Sequence, residues 1–184
     1  MNIFEDFNLI NFKNKKPPSD NSLMTFKEIK EIDNLYSNKK FVKYYDNISK
    51  VFKNIIQKFG KKFPDNFVVD LLKSTEESIL KLKNYHNRIR PDKIAKNYNI
   101  DLDIVNLNSA KTPSYPSGHS AQAEFLGLVL SDMYPNLRSQ IMKEANNISL
   151  SRNIGRLHYD SDSKNGKELG QAFYKHYKLK KHAI

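Results

Sequence analysis

Three short segments carry side chains whose types and spacing suit chemistry on a tetrahedral anion. The first runs from Lys83 to Arg90-Pro91, with the lysine seven positions ahead of the arginine. The second is Ser114-Tyr115-Pro116-Ser117-Gly118-His119. The third begins at Ser151-Arg152, reaches His158 after five intervening residues, and ends at Asp162. Lys83, Arg90 and Arg152 are three cations, and the forked guanidinium groups match phosphate oxygens. Pro116-Ser117-Gly118 reads as the opening of a helix, where free N–H groups and the positive end of the dipole face an anion. Gly118 lets the backbone come close to a ligand. Asp162 lies one helical turn beyond His158, so it can accept an imidazole N–H, fix the tautomer and stabilise the charged ring. A nucleophile, an acid for the leaving group and a set of charge stabilisers are what phosphoryl transfer needs.

Together the three segments resemble the signature of the type 2 phosphatidic acid phosphatase superfamily, which includes lipid phosphate phosphatases, bacterial class A non-specific acid phosphatases and vanadium haloperoxidases. The stretches Tyr-His-Asn-Arg-Ile-Arg-Pro and Ser-Tyr-Pro-Ser-Gly-His look most like the soluble acid phosphatases. The likeness covers roughly Lys83 to Asp162, less than half of the chain. It implies His158 as a nucleophile forming a phosphohistidine, Asp162 as its orienting partner, and His119 as the acid that protonates the leaving group and then activates water. It implies that Lys83, Arg90, Ser117, Gly118 and Arg152 hold the phosphate oxygens. It implies no metal and no resident cofactor, with vanadate as an inhibitor. Many members carry Gly two residues before the nucleophilic histidine, whereas here that position is Arg156 and the glycine is Gly155. Arg156, Tyr115 and His86 are candidate residues of the substrate rim.

The elements that must position these groups read as helices. Ser22 can cap a first helix with Phe26, Ile29, Ile32 and Leu35 on one face. Apolar residues recur at helical spacing from Phe41 to Phe59, where Gly60 is a stop signal. Pro64-Asp65 opens a third segment running to about Tyr85, ahead of Pro91. Residues 91–114 read as a long connection with one helical turn near Ile94. Helices are expected from Gly118 to Tyr134, after Pro135 through Ile148, and from about Lys164 to Leu179. Strand-like alternation is weak throughout. The expectation is an all-α, single-domain bundle of six or seven helices, acid phosphatase-like, with residues 1–21 as an irregular lead-in to a helical domain over 22–184.

Composition narrows the classes. The chain has 184 residues, enough for one domain with a real core. It contains no cysteine, so disulfide scaffolds, thiolate metal sites and cysteine nucleophiles are excluded. The net charge is +11, which favours anionic partners. That charge also motivates a nucleic-acid-binding module, but none of the usual recognition motifs is visible, so a phosphorylated small molecule is the expected partner. No stretch reaches the length of a membrane span. Met1 to Asp20 carries Glu5 and Asp6 and no long apolar run, so it does not read as a secretory signal, and a soluble, cytoplasmic protein is the default expectation. Two alternatives stay open: a vanadate-dependent haloperoxidase, with vanadate as cofactor, and a lipid phosphate phosphatase working without membrane spans. Homo-oligomers are an expectation by analogy alone.

Overall fold

Why four of the helices start where they do is visible in their first turns. Ser22, Asn38, Asn47 and Ser117 each accept a backbone N–H three residues on, which satisfies donors that the helix leaves free. A computed structural model describes residues 3–182, with His182 as backbone only. Nine α-helices lie among the described residues. They are α1 (Ile10–Asn14), α2 (Leu23–Asp33), α3 (Lys39–Tyr44), α4 (Ile48–Lys58), α5 (Asp65–His86), α6 (Pro91–Ala95), α7 (Gly118–Met133), α8 (Arg138–Ile154) and α9 (Asp160–His182). No strand occurs among the described residues.

Helix α7 is the axis of the fold. Ala121, Ala123, Phe125, Leu126, Val129 and Leu130 are all buried, so the helix is apolar nearly all round and must be covered on every side. Helices α8 and α9 supply most of that cover. The approach to α9 is very close. A Cβ built on Gly166 would lie 2.5 Å from the Ser117 carbonyl oxygen, and one on Gly170 would collide with the Ala121 carbonyl. Only glycine fits at these two positions. Helix α4 shows the opposite pattern, a single buried stripe of Ile48, Val51, Phe52 and Ile56 facing the core. A smaller cluster of Ile29, Ile32, Ile94, Ala95, Leu102 and Tyr159 joins α2 to α6 and to the start of α9.

Four expectations change. The described residues form nine α-helices rather than six or seven, because three short helices, α1, α3 and α6, join the six longer ones. The first twenty-one residues are not merely an irregular lead-in. They contain α1, and Phe4 is inserted between Phe125 and Phe173, with ring centroids 5.4 and 4.8 Å away. Burying one such ring stabilises by about 1.5–3 kcal/mol, so this segment belongs to the core. The apolar run from Phe41 to Phe59 is two helices, because Asn47 caps a new start within it. The last helix begins at Asp160, four residues earlier than the apolar pattern alone suggests.

Candidate active site

All three segments meet at one end of α7. Helix α5 ends at Asn87, whose backbone is left-handed (φ 46°), and the chain turns so that Lys83, Arg88 and Arg90 serve the same region. Lys83 is buried and its Nζ donates to the Pro113 carbonyl at 2.6 Å. Arg90 donates through Nε to the Thr112 carbonyl at 2.8 Å and through Nη1 to the Leu157 carbonyl at 2.7 Å. The same Nη1 lies 3.3 Å from His158 Nε2. Gly118 sits against Lys83, where a Cβ would be 3.8 Å from Lys83 Cε. Ser117 caps α7 and is itself buried.

His158 and Asp162 form the pair expected from their spacing, with Nδ1 3.2 Å from Asp162 Oδ2. Arginine can only donate, so the Arg90 contact assigns an acceptor lone pair to Nε2 and places the ring proton on Nδ1, facing the carboxylate. Asp162 is saturated with donors. It accepts from Arg88 Nη1 at 2.7 Å, from the Tyr159 amide at 3.1 Å and from the Ser114 hydroxyl. Burial pushes this carboxyl up, but the His158 hydrogen bond and the Arg88 charge outweigh it and hold it down at about 2. His158 moves the other way. Burial first, and then the Arg90 charge, push its imidazole well below the usual range, so the ring is neutral. Lys83 is pushed down to about 7, by burial and then by Arg90. This region therefore combines a neutral imidazole, a charged carboxylate and cations that are short of counter-charge.

His119 and Arg152 meet at a different carboxylate. Arg152 Nη1 donates to Asp46 Oδ1 at 2.8 Å, while His119 Nε2 lies 3.0 Å from the Asp46 carbonyl and 3.3 Å from Oδ1. The Ser109 hydroxyl also donates to Asp46 Oδ1, at 2.7 Å. Arg152 is otherwise held by the Ser151 hydroxyl and the Val42 carbonyl. Burial lowers the His119 imidazole and the hydrogen bond to Asp46 opposes that. An open cleft of about 660 Å³ lies alongside, lined by Asp46, Arg90, Lys93, Lys111, Leu157 and the stretch 104–108 among others.

The three rim candidates lie elsewhere or are already engaged. Tyr115 donates to the Lys15 carbonyl at 2.8 Å and packs edge-on against His86, whose Nε2 lies 3.0 Å from the Phe12 carbonyl. Both side chains face the N-terminal segment, and neither lines the cleft. Arg156 does line it, but its guanidinium donates to the carbonyls of Leu35 at 2.6 Å, Asp33 at 3.3 Å and Ile154. Its backbone is left-handed, φ 56°. This is the conformation glycine adopts most easily, at the position where the resembled family carries glycine. Asp46, Arg88 and Glu28 are groups that motif reading did not single out. Arg88 could have been found from its place between Lys83 and Arg90. Nothing in the spacing around Asp46 or Glu28 marks them.

No protein-family model and no curated protein matches this chain. Among the described residues, no group of three or more His, Asp or Glu side chains is placed to share a metal ion. None of their helices is long and apolar enough to cross a membrane. The arrangement itself can do nucleophilic chemistry. A neutral imidazole nitrogen with a lone pair, its ring backed by a charged carboxylate, lies against the Arg90 guanidinium, a donor that would stabilise negative charge.

Proposed function

We propose that this protein is a phosphomonoesterase of the acid phosphatase type, hydrolysing phosphate esters of small molecules through a phosphohistidine without a metal. The observation that carries the reading is the His158 tautomer. Nδ1–H donates to the Asp162 carboxylate, and the Nε2 lone pair lies 3.3 Å from Nη1 of Arg90, a residue that lines the cleft. In the first step Nε2 forms a bond to phosphorus as the ester P–O bond breaks, and His119 gives a proton to the departing oxygen. In the second, water attacks phosphorus and gives a proton to His119. The P–N bond then breaks and its electron pair returns to Nε2. Lys83, Arg90, Arg152 and the first amides of α7 stabilise the phosphoryl oxygens in both steps. Proton transfer by a positioned histidine contributes about 10²–10⁴-fold. The all-helical scaffold, with α7 presenting its N-terminus to the cation cluster, supports the same reading.

Hydrolysis of p-nitrophenyl phosphate from about pH 4 to about pH 9, with EDTA present and vanadate as competitor, tests the proposal. Turnover that resists EDTA and is blocked by vanadate is the expected result. His158→Ala should remove it while the helical circular dichroism spectrum is retained. Ordinary turnover in that folded variant would refute the mechanism.

A further inference from the structure

Helix α2 lies outside all three motif segments, yet one of its residues reaches the catalytic pair. Glu28 is buried, at 4% exposure. Its Oε2 accepts from Arg88 Nη2 at 2.9 Å, and its Oε1 accepts the Ser161 backbone amide at 2.7 Å. Ser161 is in the first turn of α9, the helix that carries Asp162. Arg88 bridges onward. Its Nη1 donates to Asp162 Oδ1 at 2.7 Å and to the Ser161 hydroxyl at 2.7 Å, and its guanidinium stacks 3.7 Å above the Tyr159 ring. Because Arg88 occupies Oδ1, Oδ2 is the oxygen left for His158.

Resting on the phosphatase reading above, we infer that Glu28 and Arg88 are positioning residues for catalysis, the outer members of a buried chain Glu28–Arg88–Asp162–His158. Glu28 aims the guanidinium and caps α9. Arg88 fixes the carboxylate, and the carboxylate fixes the imidazole. A buried guanidinium between two carboxylates is costly to desolvate, and a hydrophobic substitute would often stabilise the fold equally well. A role in setting the proton affinity of His158 gives the ionic version a purpose.

The charges facing this chain are few. His158 is faced by Asp162 and Arg90, with Lys83 nearby. Asp162 is faced by His158, Arg88 and the Ser114 hydroxyl. Tyr115 feels the charge of Asp162. Arg88 is faced by Glu28, Asp162, the Tyr159 ring and the hydroxyls of Thr25 and Ser161. Glu28 is felt by Lys164, and Asp20 and Glu28 by Tyr159.

The sign of each change follows. Removing the Glu28 charge leaves Arg88 less compensated, so a proton on His158 becomes less favourable. Removing the Arg88 charge does the reverse. The experiment compares Glu28→Gln, Arg88→Gln and the double variant. The acid limb of kcat/KM for p-nitrophenyl phosphate should move to lower pH in Glu28→Gln and to higher pH in Arg88→Gln, by about half a unit each. It should return near the wild-type position in the double variant. A change in packing alone would lower all three melting temperatures without splitting the profiles in opposite directions. Superimposable profiles would overturn the inference, whatever the melting temperatures. If Arg88→Gln does not fold, Glu28→Gln and Arg88→Lys carry the test. The lysine keeps the charge but loses the fork, so kcat should fall roughly tenfold with the limb unmoved. Titration of the His158 ring nitrogens by NMR in the same variants needs no turnover. A wild-type protein without phosphatase activity but with the opposite shifts would remove the proposed function and keep the Glu28–Arg88 coupling. Unshifted titrations would remove the coupling.

Discussion

The backbone amide of Ser117 donates to the backbone carbonyl of Asp162 at 3.0 Å. The first residue is the N-cap of α7, whose Gly118 packs near Lys83, and the second holds the His158 imidazole from α9. One main-chain hydrogen bond thus joins the start of α7 to the carboxylate that pairs with His158. It is possible because Gly166, one turn beyond Asp162, carries no side chain to hold the Ser117 carbonyl away.

Gly166→Ala should therefore cost more activity than Gly170→Ala. Both introduce a methyl group into a closed helix contact, and each should destabilise by about 1–3 kcal/mol in urea unfolding. Only Gly166 touches Ser117 and Ser120, so its variant should also displace the start of α7. Equal kcat/KM in the two variants would refute the link.

Lys83 predicts a pH dependence of anion binding. Its ammonium is held at about 7 before any ligand arrives. A bound dianion favours the charged form, so binding above about pH 7 must take up a proton. Affinity for sulfate or tungstate, whose charges are constant there, should fall as pH rises past that point. Lys83→Arg should abolish the slope, because arginine stays charged. Calorimetry in two buffers of different ionisation heat counts the protons directly.

Asp46 places a carboxylate on two groups that the proposed reaction needs. It occupies Arg152 Nη1, where it competes with an incoming phosphate, and it supports a proton on His119. Asp46→Asn should tighten inhibition by vanadate by roughly tenfold while lowering kcat by roughly 10- to 100-fold. Movement of both values in the unfavourable direction would show that Asp46 only holds the fold.

Arg156 combines a strained backbone with a useful side chain. Arg156→Gly relieves the left-handed conformation but loses three carbonyl contacts, and Arg156→Ala loses the contacts without the relief. Both should be less stable than the parent protein, and the glycine variant should exceed the alanine variant by about 1 kcal/mol in urea unfolding.

Much of the scaffold was legible because helices announce themselves twice, by apolar period and by caps. Ile48, Val51, Phe52 and Ile56 recur at helical spacing behind Asn47, and Gly118 to Met133 follows Ser117. Where the two signals disagreed, as at Asn47 inside the Phe41–Phe59 run, the cap prevailed. Within the candidate site, the contact of His158 with Asp162 was legible from their spacing. Asp46 and Glu28 were not. Each is a single carboxylate on a separate segment, whose partners are distant in the chain. Tyr115 and His86 show the reverse failure, since adjacency to a motif says nothing about which side a ring faces.

The burial of Phe4 has a consequence for synthesis. Its partners Phe125 and Phe173, the Lys15 partner Glu168, and Ser161 against Glu28 are all translated late. At about 5–20 residues per second, the interval between Phe4 and Phe173 is on the order of ten seconds or more. Until then the rings of Phe4 and Phe7 lack the face that Phe173 supplies. A transcript truncated before Phe173 would leave that face of both rings uncovered, so the N-terminal segment locks into place only when the last helix is made.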